Sequence, residues 1–296
     1  MAKSNKTFYA YQLDLHYLSS DNHATDAVKW DSSIIEQLFT EIMGLSDRER
    51  NIKYNDAWLM FLSHVSIYEH YIFGSFYSAE YGTVGELLHA DSLEVRKNPK
   101  GIREGELAPT YFYIRKADGL ILLQGSKRLT RSRCEEYLER LGASVIADND
   151  LTYIQLCTML NTGFFSQIAE LNSVNNIQLE VTKSELPADE NPAVIALQND
   201  LEEISATDVK LEFVAKYQRA GMNKVIDLVR RYKQQKGVTK IIVKGKLGDA
   251  HKTVNMEESQ EKYTKRVEVD TLNQPMLSSV EDALIQIASQ RTSLRS

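Results

Sequence analysis

The sequence is poor in cysteine and proline, and it contains no long apolar run. Two cysteines in 296 residues, Cys134 and Cys157, are too few for a disulfide framework or a zinc cluster, and unpaired cysteines suit a reducing cytoplasm. Five prolines and fourteen glycines beside fifteen tyrosines argue against disorder. The longest apolar runs are short and contain polar residues such as His64 and Glu69, so we expect no membrane insertion.

The N-terminal residues and the lack of known sequence motifs argue against a secreted protein and against several classes of enzyme. The first eighteen residues are basic but lack the continuous apolar segment of a signal peptide, which favours a cytoplasmic protein. No serine or cysteine has a nucleophile-elbow context, and GKLGD at 245–249 lacks the Gly-Lys-Ser/Thr order of a phosphate loop. The six histidines are scattered. We therefore assign no catalytic residue, no metal ligand and no cofactor, and an enzyme is the less favoured class.

One enzymatic alternative stays open, a metal-dependent nuclease or toxin. Such enzymes need two or three carboxylates and a nearby lysine around a strand, to hold Mg²⁺ and activate water. The closest fragments are Glu180 with Lys183, and Asp118 with Gln124 and Lys127. Neither has the spacing of a known motif, so turn and surface roles are the favoured interpretation for these residues.

Hydrophobic periodicity predicts an α+β protein with mixed sheets, helices packed on them and two domains, 1–147 and 148–296. Strands are predicted at 7–18, 57–69, 71–77, 110–116, 120–126, 152–160, 177–183, 209–216, 239–246, 253–256 and 264–270. Helices are predicted at 32–43, 130–142, 163–171, 193–204, 223–236 and 279–289. Asp118-Gly119 between two apolar runs predicts a hairpin. Segment 46–56 is predicted to be a charged connection, 82–106 a long polar loop, and 184–192 an acidic loop or hinge.

Positive charge is concentrated in one stretch, residues 210–252. It contains twelve basic and three acidic residues, an excess of nine positive charges in a chain whose net charge is −6. The stretch is predicted to fold as strand, helix and strand, with apolar residues on one face of each element and basic residues on the other. If these faces converge, they form a surface for a polyanion. The candidate DNA-binding residues are Lys216, Arg219, Lys224, Arg230, Arg231, Lys240, Lys244 and Lys246.

Two other interpretations fit the same charge pattern. The lysines can simply be the solvated faces of an ordinary α/β unit, where exposed lysine also blocks edge pairing of strands. Alternatively, the basic stripe can meet an acidic protein partner, which would make the chain an interaction scaffold. Charge alone favours DNA binding and the solvated-face interpretation equally.

The element pattern of the basic stretch resembles the C-terminal half of the phage-exclusion family of lambda Rex exclusion protein A. The similar segments are VKLEFVAK (209–216), NKVIDLVRRYKQQ (223–235), TKIIVKGK (239–246) and KYTKRVEVD (262–270). TFYAYQLDL (7–15) and TYFYIRKADGLILLQ (110–124) agree loosely, while FGSFYSAEYG (73–82) and RKNPKGIREGE (96–106) resemble bacterial families found near defence genes.

This resemblance implies a function as well as a fold. It implies a two-domain α+β homodimer that binds double-stranded DNA without sequence preference. Such a protein would act as the sensor of an anti-phage abortive-infection system, with a separate membrane effector.

Overall fold

The computed structural model describes residues 2–17, 27–54, 57–182, 208–216 and 220–292. Within these ranges the helices are α1 (Ser32–Gly44), α2 (Arg131–Leu141), α3 (Ala143–Asp148), α4 (Gly163–Ala169), α5 (Val225–Lys233) and α6 (Leu277–Ser289). The strands are β1 (Lys3–Tyr17), β2 (Ala27–Lys29), β3 (Ile52–Tyr54), β4 (Trp58–Ile67), β5 (Tyr71–Glu80), β6 (Glu86–Leu88), β7 (Val95–Lys97), β8 (Ala108–Arg115), β9 (Leu120–Gln124), β10 (Leu151–Thr158), β11 (Ser173–Thr182), β12 (Asp208–Val214), β13 (Val238–Leu247), β14 (Ala250–Asn255) and β15 (Lys262–Glu268).

These elements confirm the predicted α+β class. No described helix combines the length and apolar character needed to cross a bilayer. The predicted loop at 184–192 and the predicted helix at 193–204 lie outside the described residues.

The chain forms two compact units, and their boundaries differ from the predicted ones. Unit 1 consists of Met1–Leu156 with Lys262–Ser296, and unit 2 of Cys157–Glu261. The last segment returns to unit 1 because β15 pairs antiparallel with β1, from Lys3 opposite Glu268 to Tyr9 opposite Lys262. The prediction assigned all of 148–296 to one domain because periodicity within a strand does not reveal its partner.

Nine strands of unit 1 form one sheet with the order β10-β1-β9-β8-β5-β4-β3, and β2 and β15 also pair with β1. The predicted hairpin is confirmed, since β8 and β9 pair antiparallel. Gly119 has a φ of +78° in the turn, where a side chain would be strained. The Asp118 carboxylate accepts a hydrogen bond from the Leu120 N–H at 3.2 Å, which fixes the turn.

Helices cover both faces of this sheet. Leu38 of α1 and Leu138 of α2 belong to a core that includes Ile121 and Leu123 of β9. Helix α6 packs against β8, β9 and β15 and buries Leu284, among other residues. Burial on both faces explains why β8 and β9 are continuous apolar runs rather than alternating ones.

Short strands were missed in two segments that were predicted to be irregular. Within the predicted loop at 82–106, β6 and β7 pair antiparallel, with Leu87 opposite Arg96. Within the predicted connection at 46–56, β3 pairs with β4. Nearly every residue of β6 and β7 is exposed, so no apolar alternation marks these strands.

Unit 2 contains a four-stranded antiparallel sheet with the order β12-β11-β13-β14. The predicted strand-helix-strand segment is confirmed as β12, α5 and β13. Both strands run antiparallel to β11, which lies between them, so they are parallel to each other.

A buried tyrosine hydroxyl stabilises the end of β3 in unit 1. Tyr137 is fully buried, and its hydroxyl accepts a hydrogen bond from the Leu62 N–H at 2.8 Å and donates one to the Arg50 carbonyl at 2.7 Å. The register of β3 begins with Ile52 opposite Met60. The Arg50 carbonyl and the Leu62 N–H therefore lie just outside the paired residues. Burial also raises the pKa of Tyr137, which keeps the hydroxyl protonated and able to donate.

We expect Tyr137→Phe to lower the free energy of unfolding by about 1–3 kcal/mol, because it leaves a buried N–H and a buried carbonyl without a partner. Urea denaturation followed by circular dichroism measures this change. The matched control is Tyr68→Phe, where the tyrosine is 41% exposed, and its effect should stay within about 0.5 kcal/mol. Equal effects of the two variants would show that the Tyr137 hydroxyl has no special role.

Candidate nucleic-acid interface

The sheet of unit 2 has one apolar and one polar face. Ile177 and Leu179 of β11 and Ile241 and Val243 of β13 are buried in a core shared with α4 and α5, the two helices that the structure describes in this unit. Because successive side chains of a strand point to opposite faces, the residues between them form the other face. This polar face consists of Asn176, Gln178, Glu180, Lys210, Glu212, Val214, Lys240, Ile242, Lys244, Lys246, His251, Thr253 and Asn255.

The register of the strands brings polar residues distant in sequence side by side. In β11, Glu180 lies between Lys210 of β12 and Lys240 of β13, and Asn176 lies beside Lys244. Acidic and basic side chains therefore alternate across the strands at one end of the face. Along β13 the basic residues follow one another on the same face, interrupted only by Ile242.

A hydrogen-bonded carboxylate lies on β12, an edge strand of the polar face. Glu212 Oε1 accepts hydrogen bonds from Asn176 Nδ2 at 2.6 Å and from Gln178 Nε2 at 2.8 Å. These hydrogen bonds, and to a smaller extent the charges of Lys210 and Lys244, hold the pKa of the Glu212 carboxyl below its usual range. The carboxylate is therefore a fixed negative charge among the lysines.

The polar face includes three of the eight predicted DNA-binding residues, Lys240, Lys244 and Lys246. Lys240 Nζ is 3.3 Å from Glu257 Oε2, so part of its charge is neutralised, whereas Lys246 is exposed. Lys216 is exposed just beyond the end of β12. Arg219 lies outside the described residues.

The other three predicted residues, Lys224, Arg230 and Arg231, lie on the opposite side of the sheet. They belong to α5 or to its N-cap, and α5 packs on the apolar face through Val225 and Val229. The helix and strand cations therefore do not converge on one surface. The helix buries its apolar stripe against the sheet, so its basic side points away from the polar face.

On the helix side the cations have neighbours of their own. The Arg230 guanidinium lies 5.3 Å from the centre of the Phe165 ring of α4, a cation–π contact. Lys252 Nζ is 3.4 Å from Glu170 Oε2. Arg230 and Lys252 therefore contact other elements of unit 2, whereas Lys224 and Arg231 are exposed.

The sequence did not lead us to associate the polar residues of β11, namely Asn176, Gln178 and Glu180, with the basic stretch. Their signal was present, because they alternate with the apolar residues Ile177 and Leu179 in the segment NNIQLEVT (175–182). Positive charge marks the basic stretch in the sequence, and it does not indicate which amides and carboxylates of a neighbouring strand lie beside it.

The residues considered for a nuclease have other surroundings. The Asp118 side chain is fully buried, and Arg115 binds both of its oxygens, with N–O distances of 2.8 and 2.6 Å. Lys183 lies outside the described residues. Among the residues that the structure describes, no group of three or more His, Cys, Asp or Glu side chains could hold a metal ion.

Comparison with protein-family models gives a match over most of the chain. The model of a family described as a domain of unknown function, DUF4747, matches residues 27–288, a span that includes every strand of the polar face. No curated protein matches the chain.

We expect the pKa of Glu212 to lie below that of an ordinary glutamate, and Asn176→Ala with Gln178→Ala to raise it towards that value. Carbon-detected NMR titration of the side-chain carboxyls measures the pKa of Glu212 in the unchanged protein and in the double variant. These hydrogen bonds stabilise the folded protein fully at pH values above the ordinary carboxyl pKa. This contribution to the free energy of unfolding is lost as the pH falls through the lowered pKa of Glu212. Lys244→Gln is the control and should raise the pKa less, because the amides are the larger cause. A larger effect of Lys244→Gln would contradict this account.

Proposed function

The chain belongs to the DUF4747 family, and we propose that it binds double-stranded DNA without sequence preference through the polar face of unit 2. The observation that supports this proposal most directly is the row of Lys240, Lys244 and Lys246 along one face of β13. Lysines on the face of a sheet can neutralise phosphates and release counterions, which gives affinity that depends on salt.

The spacing of these lysines suits a phosphate backbone. Alternate residues of a strand are about 6.6 Å apart, which separates Lys244 from Lys246. Successive phosphates of one B-DNA strand recur about every 3.4 Å along the helix axis. Because the strand winds around this axis, neighbouring phosphates are farther apart in space than the axial rise, so two neighbouring lysines of β13 can contact neighbouring phosphates of one strand.

The composition of the polar face favours a duplex over a single strand. Proteins that bind single strands stack the bases on aromatic side chains. The described strands of unit 2 place no Phe, Tyr or Trp on this face. Contacts to the backbone of a duplex do not need such a platform.

The same face argues against recognition of a base sequence. Free asparagine and glutamine side chains read adenine in the major groove, but Asn176 and Gln178 already donate to Glu212. Lysine is a flexible point charge that contacts phosphates without fixed geometry. Glu180 and Glu212 lie among the lysines and weaken the attraction, so we expect the dissociation constants of non-specific binding, about 10⁻⁴ to 10⁻⁶ M at physiological salt.

We expect Lys244→Gln with Lys246→Gln to reduce the salt dependence of duplex binding. Each phosphate contact contributes about 0.9 to the slope of log K against log salt concentration, so the slope should fall by about 2. Fluorescence anisotropy with duplexes of unrelated sequence, between 25 and 200 mM salt, measures it. Glu212→Gln removes a negative charge but retains an accepting oxygen, and it should tighten binding.

The matched control is Lys224→Gln with Arg231→Gln, which removes the same charge on the helix side of the sheet. Its slope should equal that of the unchanged protein. The proposal is wrong if the unchanged protein shows no salt-sensitive binding to DNA, or if the control pair loses as much slope as the pair on the polar face.

The resemblance to the Rex exclusion family extends this proposal to a biological role. The protein would act as a homodimer and as the DNA sensor of an anti-phage exclusion system, with a separate effector. We expect a host that contains the gene with its native neighbours to reduce phage plaque formation, and Lys244→Gln with Lys246→Gln to abolish the reduction. The Lys224→Gln, Arg231→Gln control should retain it. Full protection by the polar-face variant, or none by the unchanged protein, would refute this role.

A further inference from the structure

Between β5 and β8, residues 82–107 form a hairpin segment that contains β6 and β7, and we call this segment the arm. Among the described strands, β6 and β7 pair only with each other. A two-stranded hairpin without further packing is marginally stable in water. A surface that covers the arm would therefore stabilise it.

The base of the arm is fixed to the sheet of unit 1. The Gly82 N–H donates a hydrogen bond to the Ile102 carbonyl at 2.8 Å, which joins the two sides of the arm. Gly105 lies so close to the Glu80 carbonyl oxygen, at the end of β5, that no side chain fits there. The two strands therefore start from a defined position on the sheet.

The turn at the tip of the arm is held by a histidine. His89 Nδ1 accepts hydrogen bonds from the N–H groups of Asp91 and Ser92, at 3.3 and 3.2 Å. Leu93 has a φ of +57°, in a region that leucine rarely adopts, and its side chain is 69% exposed. Burial of this side chain within the chain therefore does not offset the backbone strain. Strain of this kind is typical of sites that contact another molecule.

Exposed apolar side chains are concentrated in the arm. Among the described residues, six of the fourteen large apolar side chains that are exposed belong to it. They are Val84, Leu88, Leu93, Val95, Ile102 and Leu107. Single exposed apolar residues are normal on a protein surface, whereas a cluster of them marks a contact site.

The register of the arm places two apolar and two charged side chains on one face. Leu88 lies opposite Val95 and Glu86 lies opposite Lys97, and alternate residues of a strand point to the same side. All four residues are exposed. Within the described part of the chain, neither Glu86 nor Lys97 forms an ion pair. The face therefore offers an apolar pair beside one negative and one positive charge.

A second copy of the chain complements this face. A two-fold rotation about an axis parallel to the hairpin, with two arms face to face, brings Glu86 opposite the partner's Lys97. The same rotation brings Leu88 opposite the partner's Val95. A partner of a single charge sign would instead repel one of the two charged side chains. The face is therefore self-complementary, as a two-fold interface requires.

We propose that the arm is the contact through which two copies of the chain form a homodimer. This inference rests on the proposed function only in that it supplies the interface of the proposed homodimer. It does not depend on DNA binding, because the arm belongs to unit 1 and the polar face to unit 2. Standard interfaces use about 20–30 residues per partner, more than this face contains, so we expect a reversible dimer whose population rises with concentration.

Sedimentation velocity of the full chain between 1 and 200 μM tests this proposal. We expect the mass to rise with concentration from the 33.7 kDa of one chain towards twice that value. Leu88→Thr with Val95→Thr keeps the strand propensity of the arm but removes its apolar pair, and it should weaken the dimer at least tenfold. The control is Leu247→Thr with Leu272→Thr, which changes exposed leucines outside the arm and should dimerise like the unchanged protein.

Charge reversal tests the pairing between copies. Glu86→Lys leaves two lysines on the face and Lys97→Glu leaves two glutamates, so each variant repels its own copy and should dimerise at least tenfold more weakly. An equimolar mixture of the two variants brings lysines opposite glutamates and should restore the dimer. Pairing within one arm cannot explain this rescue, because each variant keeps like charges opposite each other in its own hairpin.

The proposal is overturned if the unchanged protein stays a monomer up to 200 μM, if the leucine control weakens the dimer as much as the arm pair, or if the mixture of charge variants stays monomeric. Co-sedimentation with vesicles of phosphatidylcholine and phosphatidylglycerol tests another occupant. Vesicle binding by a monomeric chain, lost in the Leu88→Thr, Val95→Thr variant, would assign the arm to a lipid surface and overturn the dimer contact.

Two measurements separate this proposal from DNA binding. The Lys244→Gln, Lys246→Gln variant should dimerise like the unchanged protein, and the Leu88→Thr, Val95→Thr variant should retain salt-sensitive binding to a short duplex. A chain that dimerises through the arm without binding DNA would refute only the DNA proposal, and a monomer that binds DNA would refute only the arm contact. Loss of the dimer in the lysine variant would assign the contact to the polar face and overturn the role of the arm.

Discussion

The alternation of side chains across β11 and β13 is the constraint on which the candidate interface depends. The apolar residues of these strands are buried beneath α4 and α5, so every residue between them must lie on the other face. The antiparallel register then decides which polar residues meet, and it places Glu180 beside Lys240 and Asn176 beside Lys244. A shift of one residue in β13 would bury its lysines and expose its core.

The candidate interface combines cations with a carboxylate that hydrogen bonds hold in place. Glu212 of β12 accepts hydrogen bonds from two amides of β11. Such a carboxylate keeps the cations from binding anions strongly and makes the affinity sensitive to salt. A net charge of −6 for the whole chain is compatible with this interface, which depends on local charge.

Local signals predicted most elements, and long-range pairing was not predictable from them. The helix at 130–142 and the turn at Gly119 were predicted because the signals for them are confined to a few residues. The return of β15 to β1 and the placement of α5 on the apolar face depend on contacts between distant segments. The basic residues were identified from charge alone, whereas their division between two sides of a sheet required the register.

The most direct test of the proposed interface is NMR chemical-shift mapping of the protein with a duplex of about twenty base pairs and arbitrary sequence. The account predicts that the amide and side-chain signals of Lys240, Lys244 and Lys246 shift, and that those of Lys224 and Arg231 do not. Shifts confined to the helix side, or no shifts at duplex concentrations well above 10⁻⁴ M, the weak limit of non-specific binding, would contradict it.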